Sequence, residues 1–250
     1  MTDVSRAVIF GRDALSYERF RPRYPREAIE HLLSIVVPHR VVEVGAGTGK
    51  ATDAVAREGL ELTCLEPSPQ MAEVLRQKSL SGVEVVVTTF EDWGGAAPAS
   101  VDLIYAAQAW HWVDQATAYS KARSVLRPSG ALALMWNIPT DRFAHFEDVY
   151  SKHAPGLMEA EDERIRRRDS HDWLEDLGAA GFSDLRLFIH PWSTEMKAWE
   201  YRSLCSTYSD HMMLEGPART RLLDGLATAV QAMGGSVTVD YRTKVFSGLN

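Results

Sequence analysis

Along residues 37–140 the hydrophobic positions follow two alternating periods. Continuous apolar, β-branched runs occupy 41–44, 60–65, 83–88, 101–107 and 131–136, as expected of strands buried on both faces. Between them apolar residues return every three or four positions, the period of a helix packed on one side. Ala51, Ala54 and Val55 mark such a helix over 50–58, stopped by Gly59. Ser68 supplies an N-cap and Pro69 a first-turn proline for the next, which carries Met71, Val74 and Leu75 inward. A third covers 115–126, and Arg127-Pro128-Ser129-Gly130 turns the chain into the fifth strand. This alternation predicts an α/β fold with a mostly parallel sheet and helices on both faces.

Beyond Asn137 the pattern loosens. Residues 139–168 are polar and predict surface helices, with the charge run 161–168 read as a solvated helix face. Ser170 is placed to cap a helix reaching Ala180; 185–192 reads as a sixth strand, 197–233 as largely helical and 237–246 as the last strand. No repeat, low-complexity tract or Gly/Ser linker separates these parts, so residues 1–250 read as one domain with helical insertions over a single sheet.

Composition narrows the partners. A chain of 250 residues, 45% of them hydrophobic, can bury a full core. Its formal net charge of -7 argues against nucleic acid, whose binders need Lys and Arg to displace counterions, and towards small molecules. Cys64 and Cys205 stand far apart, match no metal spacing and fit a reducing compartment, so the expectation is a cytoplasmic protein without a metal. No window approaches the roughly 20 apolar residues that span a bilayer, and the N-terminal residues lack a signal-peptide core. Neither membrane insertion nor export is expected.

The stretch Val-Val-Glu-Val-Gly-Ala-Gly-Thr-Gly-Lys, residues 41–50, carries the first chemistry. A P-loop is excluded on spacing, because Val44 stands where its first glycine belongs and Ala51 where its hydroxyl belongs. The dinucleotide fingerprint fits Gly45 and Gly47 but would put its third glycine on Lys50, which disfavours pyrophosphate and an NAD-dependent oxidoreductase. What remains is a glycine turn preceded by Glu43, an acid suited to a cationic amine. Glu66 lies 21 residues after Gly45, where an acidic side chain can accept from both hydroxyls of a ribose. A nucleoside bearing an amino-acid group, with no phosphate, fits both; S-adenosylmethionine is such a molecule.

At this point the chain resembles the class I S-adenosylmethionine-dependent methyltransferases, which have a seven-stranded Rossmann-like fold. The resemblance rests on VVEVGAGTGK, CLEPSPQM, TTFEDW, VDLIYAAQAWHWVD and LRPSGALALMWN, spread over residues 8–137. The segments YERFRPRYP and Trp110-His111-Trp112 are similar to the small-molecule subgroup that includes trans-aconitate methyltransferase. It implies that Glu43, Gly45, Ala46 and Gly47 hold the methionine part and Glu66 the ribose, while Pro67 and Met71 flank the adenosine. Thr89, Phe90 and Glu91 fall at the adenine edge, with Phe90 departing from the usual alanine. Ala107 and Gln108 fall beside the sulfonium. Trp110 and Trp112 are candidates for an aromatic wall there, since aromatic faces attract such cations by about 0.5–2 kcal/mol. By the same resemblance residues 1–36 form a lid segment, with Tyr17 and Arg21 closing over the cofactor; 37–137 are the cofactor core and 138–250 the substrate side.

His111 is the candidate general base, because an unperturbed imidazole titrates near neutral pH; packing between the two tryptophans is the plainer alternative. Trp192 and Tyr208 are candidates for the substrate pocket beside Trp110, His111 and Trp112, with burial as ordinary core the alternative. Methyl transfer needs an in-line nucleophile and exclusion of water more than a dedicated catalytic group. The expected reaction is therefore methylation of a carboxylate or hydroxyl oxygen of a small molecule, by a monomer or homodimer. Ala107-Gln108-Ala109-Trp110 replaces the Asn-Pro-Pro-Tyr type of motif and disfavours methylation of a base or amide nitrogen. A methyltransferase of a macromolecule and a catalytically silent S-adenosylmethionine-binding protein are the competing readings.

Overall fold

A computed structural model describes residues 13–141, 143, 145–158 and 172–250. Residues 1–12 of the expected lid, the charge run 161–168 and Ser170 lie outside the described residues. Helices α1 (Ala14–Phe20) and α2 (Arg26–Ser34) precede β1 (Arg40–Val44), α3 (Thr52–Val55), β2 (Glu61–Leu65), α4 (Pro69–Gln77), β3 (Val83–Val86) and β4 (Val101–Ala107). A 3-10 turn at Trp110–Trp112 leads to α5 (Gln115–Val125) and β5 (Leu126–Pro139). The rest of the chain gives α6 (Glu147–His153), α7 (Trp173–Ala179), β6 (Ser183–Lys197), α8 (Ala198–Ser206), α9 (Ser209–Met212), α10 (Gly216–Ala232) and β7 (Ser236–Leu249).

The seven strands form one sheet in the order β3-β2-β1-β4-β5-β7-β6. Strands β1 to β5 pair in parallel, whereas β7 runs antiparallel to both of its neighbours. The expected mostly parallel seven-stranded sheet is what forms. Alternate residues of the strands enter different cores: Ile104, Ala106, Leu132 and Leu134 pack towards α5 and α7, while Leu103, Tyr105, Ala131 and Ala133 pack towards α2, α3 and α4. The predicted turn at 127–130 is an excursion within β5, with Ser129 at φ 64°, and it shifts the β4–β5 register between Val101 and Leu103.

The cap expected at Ser68 forms. Ser68 Oγ accepts from Met71 N at the start of α4, with Pro69 in the first turn. The cap of α7 is Asp172, whose carboxylate accepts from the N–H groups of Leu174 and Glu175. The helix expected over 50–58 shrinks to α3, and the helical stretch 197–233 divides into α8, α9 and α10. β7 pairs with β5 only as far as Tyr241–Pro139, but with β6 on to Ser236–Lys197. That ribbon carries a third core: Val237, Val239 and Tyr241 pack with Tyr150 of α6, Tyr201 and Cys205 of α8 and Leu226 of α10. The helical insertion is thus a cap with its own apolar centre, joined to the sheet through two long strands.

Candidate cofactor and transfer site

The glycine loop leaves β1 and folds back on β2. Gly45 and Ala46 both donate their N–H groups to the Leu65 carbonyl, at 2.8 and 3.0 Å. Gly45, Gly47 and Gly49 all have positive φ, 69°, 58° and 83°, which side chains disfavour. Their surroundings differ. A Cβ on Gly45 would come within 2.4 Å of Ala109 Cβ, and one on Gly49 within 2.3 Å of a Leu75 methyl, whereas one on Gly47 would meet nothing within 4 Å. Gly45 and Gly49 therefore let neighbouring chain close in, and Gly47 leaves open space above the loop.

Two acids flank this loop, with unlike surroundings. Glu66 accepts from Gly47 N and Ser68 N, each at 2.8 Å, on different carboxylate oxygens. Two backbone donors leave a carboxylate with capacity to accept more. Burial raises its pKa, opposed by those two hydrogen bonds. Glu43 lies beneath the loop and is 1% exposed. Thr52 Oγ1 and Tyr105 OH donate to its Oε2 at 2.5 and 2.8 Å, with the Cys64 thiol at 3.7 Å. Burial lifts its pKa to about 7 despite those donors. Its carboxylate is thus turned into the interior between β1, β2, β4 and α3, away from the open space at Gly47, so the amine contact expected of Glu43 is corrected to a structural one.

The segment from α1 to Arg23 forms a strap across this site. Thr48 Oγ1 donates to Glu18 Oε2 at 2.6 Å, Lys78 Nζ lies 3.1 Å from Glu18 Oε1, and Lys50 Nζ donates to the Glu18 main-chain carbonyl. The lysine that disqualified a phosphate loop in the sequence is therefore turned back to hold the strap. At the other end Arg21 donates from Nε to Thr207 Oγ1 and from Nη2 to Thr207 O, both at 2.8 Å, and lies over the rings of Tyr208 and Tyr17 at 4.5 and 5.4 Å. Burial raises the pKa of Tyr17, with Arg21 opposing and Glu66 adding to the rise; burial raises that of Tyr24 further. Neither phenol is a ready base at neutral pH.

At the ends of β4 and β5 the candidates separate. Ala107 and Gln108 stay half-buried at the mouth of the site, and Gln108 adopts φ 61°. Trp110 is wholly buried against Phe90 and Tyr119, with ring centroids at 5.8 and 5.3 Å, so the aromatic wall expected of it is corrected to a core role. Phe90 is 2% exposed in the same core. The bulky side chain at the adenine edge is accommodated by turning inward. Thr89 bonds Asp92 and braces its own loop, and Glu91 accepts from Asp114 N at 2.6 Å and ties that loop to the start of α5. Met71 is buried at 4% exposure and Pro67 is exposed. Trp136 Nε1, a donor only, points at His111 Nδ1 at 3.4 Å, and Trp112 packs against the His111 ring at 4.5 Å. The basic lone pair of neutral His111 therefore faces an indole, which fits a hydrogen-bond donor better than the expected general base.

Sequence reasoning missed a junction centred on Asn137, which is 4% exposed. Trp192 Nε1 donates to Thr243 Oγ1 at 2.8 Å, and that hydroxyl donates to Asn137 Oδ1 at 2.6 Å. Asn137 Nδ2 donates to the Arg23 carbonyl at 3.1 Å, and Gln108 Nε2 to the Asn137 carbonyl at 2.8 Å. Trp192 also stacks on Tyr241 at 4.6 Å, so it joins ribbon to sheet; Tyr208 stays half-buried under Arg21. The only sequence signal was a polar residue ending an apolar strand.

A family model described as a methyltransferase domain matches residues 42–134. Over those residues the chain is similar to methyltransferase domains. An uncharacterized methyltransferase of Mycobacterium tuberculosis is 43% identical over 140 residues, 56% of this chain and 56% of that protein. The chain thus spans about half the length of the mycobacterial relatives it matches. Among solved structures, one described as a type II methyltransferase from Anaeromyxobacter dehalogenans superposes with TM-score 0.69 at 23% identity, covering 92% of this chain and 98% of that one. A phosphoethanolamine N-methyltransferase of Haemonchus contortus, solved with phosphomonomethylethanolamine and S-adenosylhomocysteine, gives 0.53 at 15% identity, covering 96% of this chain and 57% of that one. These likenesses establish the fold. The cofactor of such a methyltransferase domain is S-adenosylmethionine, and the described residues fit it: Gly47 leaves its face open, Glu66 keeps accepting capacity for a diol, and Lys50 is turned away from the space a phosphate would take. No helix among the described residues is long and apolar enough to cross a membrane, and no described cluster of His, Cys, Asp and Glu has the makings of a metal site.

Proposed function

We propose that this chain transfers the methyl group of S-adenosylmethionine to an oxygen atom of a small molecule. The observation that carries the reading is the pairing of an open Gly47 with a buried Glu66 that Gly47 itself orients. The cofactor supplies an electrophilic methyl on a positive sulfur. On the protein side, Glu66 takes the ribose hydroxyls, the α4 cap at Ser68 holds the turn that follows, and strap and cap exclude water. The sulfur–carbon bond breaks as the oxygen–carbon bond forms, leaving S-adenosylhomocysteine. A carboxylate acceptor, already ionised at neutral pH, loses no proton; a hydroxyl gives up its proton to solvent once strap and cap open.

The small size of the acceptor is supported by the closure of the strap onto the cap through Arg21 and Thr207, which leaves little room for a macromolecular surface. The net charge of -7 points the same way. With Nδ1 of His111 facing an indole and the phenols of Tyr17 and Tyr24 held neutral, positioning carries the rate. Calorimetry with S-adenosylhomocysteine and NAD, followed by methyl transfer to a panel of small acids and alcohols, tests the proposal. Binding of S-adenosylhomocysteine with turnover of a panel member is the expected result. NAD binding without a response to S-adenosylhomocysteine would sink it, and cofactor binding with no acceptor in any panel would favour the silent binder.

A further inference from the structure

The sheet has two edges, and they end differently. β3 is a short edge of Val83–Val86, whereas β6 runs over Ser183–Lys197 with a strand on one side only. A long free edge offers a row of main-chain donors and acceptors to any strand that can lie beside it. Which groups β6 offers follows from its register with β7, unbroken from Arg186 to Lys197. Pro191 has no N–H to give, and Asp240, opposite Ser193, turns its carbonyl to Thr140 N on the β5 side, so the odd-numbered residues of β6 face away from β7. Leu187 and Ile189 thus turn both N–H and C=O outward, and among the described residues no group bonds them. Pro191 blunts the edge beyond them, but nothing of the kind protects Leu187 or Ile189. Their side chains are 43% and 46% exposed, on the sheet face opposite Phe188, whose ring stacks on His31 of α2 at 4.2 Å.

We propose that β6 pairs with β6 of a second copy of this chain, antiparallel about a two-fold axis at Phe188, joining two seven-stranded sheets edge to edge. A two-fold axis makes the same patch its own partner. Centred on Phe188, Leu187 of each copy lies opposite Ile189 of the other and exchanges both main-chain bonds with it, so every outward group of the two residues is used. The two exposed apolar side chains cover each other in the same step. On the other face Arg186, paired with Asp184 at 2.7 Å within its own strand, comes opposite the second copy's His190, whose Nε2 lies 3.6 Å from Glu27 Oε2. A guanidinium therefore meets a carboxylate across the axis. Neighbouring registers fit less well: centring on Ile189 sets Leu187 against Pro191 and loses a donor, and centring on Leu187 needs Leu185, which lies at the register shift beside Asp184 with φ 47°. Each copy's long edge is then used up, and the assembly closes at two chains.

Sedimentation and residue-resolved amide exchange of the unaltered chain, each over a dilution series, test this. At high concentration the protein should sediment at twice the mass of one chain, with the amides of Leu187 and Ile189 protected. On dilution the mass should halve and those two amides should exchange faster, while the amides of Phe188 and His190, which face β7, stay protected. Leu187→Lys puts a charge on the apolar face, and Ile189→Pro removes an outward N–H without touching the β7 ladder. Each should sediment as one chain at the concentration where the parent is a dimer. A parent that sediments as one chain throughout the series overturns the proposal. So does a dimer that survives both substitutions, or one in which Leu187 and Ile189 exchange as fast as they do in the single chain. If a variant fails to fold, the exchange pattern of the parent decides alone. None of these readings involves a cofactor, so they stand or fall apart from the methyl-transfer reading.

Discussion

From β1 to the start of α4 the contacts that build the site join residues close in sequence: Glu43 meets Thr52 at a separation of 9, and Gly47 meets Glu66 at 19. Across the site, strap and cap are joined over far longer stretches, with Arg21 reaching Thr207 at 186 and Asn137 reaching Thr243 at 106. The first half is a local device, in which a strand end, a glycine turn and the next strand end bring an acid to a backbone N–H. The second depends on the completed sheet, because the ribbon of β6 and β7 must form before the cap has anything to stand on. The two halves should therefore fail differently when broken.

The largest effect is expected within the local half, from two glycines two residues apart. Gly45→Ala places a methyl against Ala109 at positive φ and should cost about 2–4 kcal/mol of folding stability, combining left-handed strain with overpacking. Gly47→Ala meets no neighbour and should cost only about 1–2 kcal/mol for its backbone, while cofactor binding falls because the methyl enters the open space. Urea unfolding together with calorimetry separates the two. Equal stability losses would mean that the loop relaxes around Ala109 and that the difference between the glycines is not real.

Next comes the acid of the same half. Glu66→Ala should weaken S-adenosylhomocysteine by about 1–3 kcal/mol in a folded protein. Thr207→Ala, in the cap, removes one of the two acceptors of Arg21 and leaves the carbonyl, so its effect on the same affinity should be about 0.5–1.5 kcal/mol. A Thr207 effect as large as that of Glu66 would show that cap and loop act as one unit. An unchanged affinity in Glu66→Ala would remove Glu66 from the ribose site.

This contrast also explains what the sequence revealed. The parallel strands and the cap at Ser68 were legible because each depends on neighbours in the chain; Ser68 Oγ accepts from Met71 N. The glycine loop and Glu66 were legible for the same reason. Trp110 and Glu43 were misplaced, since spacing puts a residue at a strand end without saying which way its side chain turns. Trp110 turned into the core with Phe90, and Glu43 turned under the loop to meet Tyr105. Asn137, Thr207 and the second use of Lys50 were invisible because their partners lie on elements that only folding brings near.

Glu43 offers a separate test, read through pH. Its pKa in the folded state, about 7, stands above its ordinary value of 4.5, so between those limits the folded protein binds the proton more tightly than the unfolded chain does. Stability from this group is fully present below pH 4.5 and is lost as pH rises to 7. The loss should be on the order of 3 kcal/mol across that window, and Glu43→Gln should flatten it. The raised pKa of Glu66 acts in the same direction, so the two variants together should remove more of the slope than either alone. Stability that increases from pH 5 to 7 in the parent chain, with no change in Glu43→Gln, would place the Glu43 carboxylate in a wetter setting than the interior between β1, β2 and β4.

The smallest effect belongs to the ion pairs that hold the strap onto the glycine loop. Glu18 has side-chain exposure of 20% and Lys78 of 15%, so their contact is neither a free surface pair nor a fully buried one. Exposed pairs contribute about 0–1 kcal/mol, and salt weakens them. Glu18→Gln keeps a side-chain acceptor for Thr48 and leaves the main-chain carbonyl that receives Lys50, so it removes charge and little else. Global stability should fall by less than about 1 kcal/mol. Hydrogen exchange should instead speed up locally in α1, because opening the strap does not require the sheet to break. Added salt should reproduce that local change in the parent chain and do little more in Glu18→Gln. If the variant unfolds globally, or if exchange rises equally in α1 and in β1 to β4, then α1 belongs to the cooperative core, and the strap is a fixed wall of the site and no moving part.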